Sequence, residues 1–212
     1  AKRCFISFVD VNDVGRVSRK NFAAGRALQA GQSFVSILLM LANQSGGKVE
    51  MACVNTLGVL YIVEKGEAQV KTMADLKGRS LYATGKGSTP EYNLTYLLKQ
   101  AGLTVGEDVM IEWKSEPAEV VALMSQQEEA FAMLPQPFVT VACMQNDKLQ
   151  VVLDMNEEWT KLQGEDGSRM VTGVTVVRNE FLEKYPGAVK NFLQEHKERS
   201  VQRSKIKVSK RL

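Results

Sequence analysis

One continuous stretch decides how this chain folds: Ala74-Asp75-Leu76-Lys77-Gly78-Arg79-Ser80-Leu81-Tyr82-Ala83-Thr84-Gly85-Lys86-Gly87-Ser88-Thr89-Pro90-Glu91. Ala74 to Gly78 predicts a short helical turn stopped by glycine, and Ser80 to Thr84 predicts a strand. A glycine-rich turn over 85–90 then opens a helix running to about Gln100. Leu94, Leu97, Leu98 and Ala101 fall at i, i+3, i+4 and i+7, and Gly102 stands where a C-terminal cap belongs. Ser88 or Thr89 is expected to cap this helix, Pro90 suits its first turn, and Glu91 completes a Ser-x-x-Glu capping box.

The same alternation continues downstream. Strands are expected at Val109–Trp113, Ala130–Leu134 and Leu149–Leu153, with helices at Pro117–Met124 and Pro137–Met144. Alternation at this spacing predicts a parallel α/β sheet. Met170–Val177 reads as a further strand, and Glu180–Tyr185 and Gly187–Arg199 as helices, the latter with an apolar stripe of Ala188, Val189, Phe192, Leu193 and His196. Upstream, Val49–Val54 and the apolar run Leu57–Val63, ended by Glu64-Lys65-Gly66, are strand candidates. Cys4–Val11 is another, Phe34–Ala42 reads as helix or strand, and Arg16–Arg26 shows no clean period.

Composition excludes whole classes. The chain has 212 residues, 44% hydrophobic and 24% charged, which is the balance of a globular protein. Three cysteines, five prolines and 16 glycines exclude collagen-like and disulfide-scaffold chains. The net charge of +3 conceals an asymmetry: residues 1–30 hold six basic against two acidic side chains, and 197–212 hold seven against one. The body between them is therefore acidic. The basic character belongs to the two ends and does not nominate a nucleic-acid partner.

Catalytic chemistry finds few groups. Cys4, Cys53 and Cys143 form no C-x-x-C pair, and Cys53 and Cys143 are expected to be buried, inert thiols. The only histidine, His196, reads as a packed helix residue, so no Ser-His-acid set can be assembled. Glu128-Glu129 and Glu157-Glu158 read as solvated faces or caps, and Trp113 and Trp159 as core residues. No metal-ligand spacing, phosphate-binding P-loop or Gly-x-Gly-x-x-Gly motif occurs. The longest apolar run, Phe34–Ala42, is about half the roughly 20 residues that span a bilayer.

Three polar turns remain as binding candidates. The turn at 85–92 opens a helix, whose free N–H groups and positive dipole end attract anions. Leu134-Pro135-Gln136-Pro137-Phe138 follows a strand, at the edge where open α/β sheets bind ligands. Gln136 brings a donor and an acceptor there, and Phe138 a flat apolar face. Asn55-Thr56-Leu57-Gly58-Val59 reads as a third such loop, with small polar groups beside a glycine.

Taken in order, Val54-Asn55-Thr56, Ala74-Asp75-Leu76-Lys77-Gly78-Arg79, the 85–92 turn, Ala101-Gly102-Leu103, Leu134-Pro135-Gln136-Pro137 and the run from Phe181 through Pro186-Gly187-Ala188-Val189 to Phe192-Leu193 carry a resemblance. Over about residues 48–199 the chain resembles solute-binding proteins of ABC importers, and within them the nitrate/sulfonate/taurine and thiamine-precursor-binding class. The resemblance implies a two-lobed, type II periplasmic-binding-protein-like α/β fold with the ligand in an interlobe cleft. Residues 68–169 would form the inserted lobe. Residues 1–67 with 170–199 would form the first lobe, and 200–212 a basic tail. Strands near 59–64 and 170–176 would cross between the lobes.

By the same resemblance, Asn55, Thr56, Gly87, Ser88, Thr89, Pro90, Glu91, Gln136 and Phe138 would bind the ligand. No catalytic residue, metal or cofactor is implied. The partners would be a small organic or anionic solute and an ABC permease, for a monomer in the periplasm or otherwise extracytoplasmic and membrane-anchored. Both termini depart from the family pattern, so one lobe is expected to be incomplete. The second reading is an enzyme on the same bilobal fold, since relatives in pyrimidine or menaquinone biosynthesis share it.

Overall fold

The computed structural model describes residues 30–34, 42–164 and 167–209, with side chains over 42–164 and 167–198. The strand expected at Cys4–Val11, the stretch Arg16–Arg26 and most of Phe34–Ala42 lie outside those residues. The chain divides into two compact units. One holds the described residues up to Asn55 and those from Gly173 onward; the other is Thr56–Thr172. The division falls earlier in the chain than residue 68 because the strand after Gly58 belongs to the sheet of the second unit.

Among the described residues the first unit's sheet has three strands, β1 (Ala30–Phe34), β2 (Val49–Leu57) and β8 (Val171–Arg178), in the order β1-β8-β2. β1 runs antiparallel to β8, pairing Ala30 with Val177 and Phe34 with Gly173. Thr172, Val174, Thr175 and Val177 of β8 are buried. Val177 forms an apolar cluster with Phe181 of α5 (Asn179–Lys184) and Val189 of α6 (Pro186–Ser209), with Ala52 and Leu193 packed against it. His196 stacks on Phe192 with ring centroids 5.9 Å apart, as the apolar stripe predicts. α6 continues to Ser209, through residues read from sequence as a tail.

The second unit carries the alternating α/β pattern. β3 (Leu60–Lys65), β4 (Ser80–Thr84), β5 (Met110–Lys114), β6 (Ala130–Pro135) and β7 (Leu149–Asp154) form one sheet in the order β5-β4-β6-β3-β7. β4 is parallel to β5 and β6, whereas β3 is antiparallel to both β6 and β7. The alternating strands expected to be parallel, β4 to β7, do run the same way, and β3 is an antiparallel addition to them. Four strands run one way and β3 runs the other, because β3 is the strand by which the chain enters the unit and no crossover helix precedes it. β6 is buried along Ala130–Leu134, as a central strand covered on both faces must be.

Helices cover both faces. α1 (Thr89–Gln100) and α4 (Met155–Gln163) lie over the cluster of Leu60, Ile62, Leu81, Ala83, Phe131, Met133 and Leu153. α2 (Pro117–Gln126) and α3 (Phe138–Gln145) lie over Val63, Ala132, Leu134 and Leu149. Leu94, Leu97 and Leu98 of α1 are at most 1% exposed, as their spacing requires. The helix ends in a Schellman motif: Gly102 N–H donates to Lys99 O, and Leu103 N–H donates to Leu98 O at 2.9 Å.

α4 is absent from the sequence reading, although Asp154 followed by Glu157 is a capping pattern. Asp154 Oδ1 accepts from Asn156 N–H at 2.8 Å and from Glu157 N–H at 3.4 Å. Trp159 of α4 packs at the rim of the core, stacks on Tyr96 at 4.9 Å and donates Nε1–H to Ser168 O.

Two further expectations change. Cys53 and Cys143 are half-buried rather than buried, and burial pushes the Cys143 thiol up, which keeps it protonated and unreactive. Glu64 and Lys65 do not end the apolar run; they complete β3, 2% and 7% exposed. Backbone groups hold both charges. Glu64 accepts from Gln69 and Val70 N–H at 3.1 Å, and Lys65 Nζ donates to Met124 O, Ser125 O and Gln127 O. The ammonium thereby caps the C-terminus of α2, where carbonyls lack intrahelical partners.

Candidate functional site

Within the second unit, the carboxyl ends of β4, β6 and β7 point to one edge of the sheet, since these three strands run the same way. Three helices start there: α1 after β4, α3 after β6 and α4 after β7. β4 and β6 are neighbours, Ala83 pairing with Met133, so the turns that follow them lie side by side. The structure thus brings Gly87–Glu91 and Gln136–Phe138 to the same edge, which is where open α/β sheets place ligands.

The turn between β4 and α1 depends on glycine. Gly85 has φ +87°, and a Cβ there would lie 2.8 Å from Pro90 Cγ. Gly87 has φ +76° and faces open space. Ser88 is the N-cap residue in extended conformation, but its side chain does not cap the helix. The Ser88 hydroxyl donates back to Gly85 O at 2.6 Å, and Gly87 N–H donates to Glu91 Oε2. The expected capping box is therefore not formed: the tight 85–88 turn engages the Ser88 hydroxyl as a donor to Gly85 O, and its oxygen accepts no helix amide. Thr89 and Pro90 are buried, and Ser88 and Glu91 are half-buried.

The contrast with α4 is informative. There Asp154 fills the helix start with its own carboxylate. At α1 the side chain of the N-cap residue Ser88 does not do so, and Tyr92 N–H bonds to Ser88 O. The acidic residue of the α1 first turn is Glu91, whose carboxylate accepts from Gly87 N–H. With about 100° of rotation per residue, Glu91 stands on the flank opposite Thr89 and Asn93.

Gln136 is exposed. Its N–H donates to Val59 O at 2.9 Å, and its Oε1 accepts from the Thr140 hydroxyl at 2.8 Å. The side-chain oxygen is committed, leaving the Nε2 amide as the group it offers. The Gln136-Pro137 peptide is cis. Phe138 is half-buried and stands outside both core clusters of this unit.

The Asn55-Thr56 pair is not a loop. Both residues lie within β2, and Asn55 Nδ2 donates to Thr175 Oγ1 at 3.0 Å. The loop is Gly58-Val59 alone. Val59 has φ +79°, a left-handed conformation that is uncommon for a β-branched residue. Hydrogen bonds hold this turn in place: Gly58 N–H to Met170 O, the Thr172 hydroxyl to Gly58 O at 2.7 Å, and Gln136 N–H to Val59 O.

Two groups at this edge are missing from the sequence reading. Tyr61 pairs with Asp154 across β3 and β7, and burial first, then the Asp154 and Glu157 carboxylates, push its hydroxyl up, keeping it a donor. Asn93, one turn into α1, is 9% exposed, and its Nδ2 has no hydrogen-bond partner. Inside an apolar helix pattern no sequence signal marks it. Among the described residues, no group of three or more His, Cys, Asp or Glu side chains converges as a metal site.

The glycine turn and start of α1 lie at the carboxyl edge of a mixed sheet beside the glutamine turn, in a fold that periplasmic solute-binding proteins share. Solved structures bear this out. The periplasmic aliphatic sulphonate binding protein SsuA from Escherichia coli is similar with TM-score 0.68 and 19% identity, covering 94% of this chain and 63% of that one. A putative sulfonate ABC transporter periplasmic binding protein SsuA from Methylobacillus flagellatus has TM-score 0.60 and 22% identity, covering 82% and 49%. An ABC transporter protein from Parabacteroides distasonis has TM-score 0.64 and 20% identity, covering 93% and 63%. The chain thus spans less than two thirds of the length of these structures. No protein-family model matches the sequence, and no curated protein is similar enough in sequence to be matched. The fold is that of ABC-importer solute-binding proteins, the resemblance drawn from the sequence motifs.

Proposed function

We propose that this chain is the solute-binding component of an ABC importer, capturing a small organic anion and delivering it to a permease outside the cytoplasm. The observation that carries the reading is the start of α1. It is a helix N-terminus at the carboxyl edge of the sheet, approached by glycines and not capped by the side chain of Ser88. Similarity to sulfonate-binding proteins supports an oxyanion ligand, and sulfonate is the class we favour. In this reading Gly87, Ser88, Thr89 and Pro90 form the anion seat. Glu91 orders the turn through Gly87 N–H, Gln136 offers its Nε2 amide, and Phe138 covers the organic part. Among the described residues no helix is long and apolar enough to cross a membrane.

Thermal-shift titration tests this against alkanesulfonates, nitrate, pyrimidines and riboflavin-like compounds. A ligand that binds only the folded state adds about 2.7 kcal/mol of stability at 100 times its Kd, which is readable as a rise in Tm. Gln136→Ala should weaken that ligand. No shift with any compound, or unchanged affinity in Gln136→Ala, removes the ligand class or the residue respectively. An enzyme on this fold predicts instead that a bound compound is turned over, which mass spectrometry of the recovered ligand would reveal.

A further inference from the structure

Asn93 is the one polar side chain on the buried face of α1 beyond its first turn. Leu94, Leu97 and Leu98 fill the rest of that face. Its Nδ2 is one of two buried side-chain nitrogen or oxygen atoms without a hydrogen-bond partner among the described residues. The other, Asn179 Oδ1, belongs to an amide whose nitrogen already donates to Gly47 O at 3.0 Å. Asn93 has no such compensation. A buried donor without an acceptor destabilises the folded state, and native structures rarely keep one without a use.

Its position supplies the use. Asn93 follows Thr89 by four residues, so the two share a helix face. Helical side chains lean toward the N-terminus, which carries the Asn93 amide over the turn that begins at Thr89 and toward the edge where α1 opens. Thr84, at the end of β4, and Thr89 are buried at the same end of the helix, 8% and 6% exposed. The helix start and the orphaned amide are separate observations that point to the same place.

We infer that Asn93 reads the ligand: its amide donates to a second acceptor atom, some 5–6 Å from the anionic group, the spacing of neighbouring positions on one helix face. This rests on the reading of the α1 start as an anion seat and adds a substrate class to it. The ligand is an organic anion bearing a hydroxyl, ether or carbonyl oxygen, rather than a bare alkyl anion. Sites built to hydrogen-bond a substrate oxygen reject analogues that lack it, because the site's donor is then left unpaired.

The test uses the whole 212-residue chain. Calorimetric titration compares propane-1-sulfonate with 3-hydroxypropane-1-sulfonate, in the unaltered protein and in Asn93→Leu. The unaltered protein should bind the hydroxylated compound roughly tenfold more tightly, the value of one well-made hydrogen bond to a neutral acceptor. Asn93→Leu should erase that preference while retaining propane-1-sulfonate, and should melt higher without ligand, because the unpaired donor is gone. A preference that survives in Asn93→Leu overturns the proposal, as does equal binding of the two compounds by the unaltered protein. A lower melting temperature of Asn93→Leu shows that the amide is structurally partnered and overturns it too. Where the variant fails to fold, Asn93→Asp supplies the same comparison: it removes the donor with the shape kept, and should disfavour both sulfonates. Absence of binding by either compound to the unaltered protein overturns the anion seat itself, a different outcome from equal binding.

Discussion

Replacing Gly85 with alanine tests the geometry on which the site depends. Gly85 has φ +87°, and an added Cβ would meet Pro90 Cγ at 2.8 Å and Pro90 Cβ and Ser88 Oγ at 3.1 Å. The left-handed backbone alone costs an L-residue about 1–2 kcal/mol. The proline ring is rigid and pinned at the helix start, so relieving the contact requires the turn to move, at a further cost of about 1–3 kcal/mol by analogy with overpacked cores. Gly102 is the internal control: its φ is +78°, but a Cβ there meets nothing within 4 Å. Gly102→Ala should show only the backbone term. Both substitutions stiffen the unfolded chain equally, so that contribution cancels between them. Each kcal/mol corresponds to about 2–4 °C in a chain of this size. Differential scanning calorimetry should therefore place Gly85→Ala several degrees below Gly102→Ala. Ligand affinity should fall in Gly85→Ala and hold in Gly102→Ala. Equal melting temperatures, or loss of affinity in Gly102→Ala alone, would refute the argument that the 85–88 turn is sterically set by Pro90.

Other expectations follow from single contacts. Lys65→Met removes the donor shared by the Met124, Ser125 and Gln127 carbonyls and should lower stability by about 2–3 kcal/mol in urea unfolding, the value of hydrogen bonds to a charged group. Asp154→Ala removes the α4 cap and should cost about 1 kcal/mol by the same measurement. Glu91→Gln removes a negative charge near the anion seat and should tighten anion binding modestly, most visibly at low salt. Asp75 and Asp108 are held below the usual carboxylate range, Asp75 by the Lys71 and Thr72 N–H groups and Asp108 by Thr104 N–H and then Lys77. Their folded forms bind protons less readily than the unfolded chain does. Their contribution is therefore complete above the ordinary carboxylate range and is lost as pH falls through and below it. Thermal melts from pH 6 to pH 2 should show the decline, and the Asp75→Asn/Asp108→Asn double variant should show a shallower one.

The sequence made the second unit legible to different depths. Ser80–Thr84 coincides with β4, and α1 begins within a residue of its expected start, because glycine, proline and a leucine stripe leave few alternatives. The direction of β3 was hidden: strand propensity and burial are the same for either direction, and only the path of the chain sets it. Helix α4 was missed because its exposed acidic first turn masked the Asp154 cap. At the site, the residue types of the 85–91 turn were readable, but their bonding was not. The Ser88 hydroxyl could donate to Gly85 O or accept from the helix amides, and the outcome is settled by backbone angles that residue identity does not encode. Asn93 carries no sequence signal of its own. Its significance lies in what surrounds it.

The central place of β3 bears on how the second unit is assembled. Its Lys65 pairs with Ala130 on one side and Leu149 on the other, so both neighbours are synthesised long after it. Until β6 and β7 arrive, an apolar strand stands with two open edges, each a template for pairing with another chain. Closure of these distant pairs is slow, since loop entropy must be lost before contacts form. Glu64 and Lys65 place two charges at the end of that strand during the wait. Only when Met124 and Ser125 have arrived can Lys65 be satisfied, which delays its burial until α2 has formed.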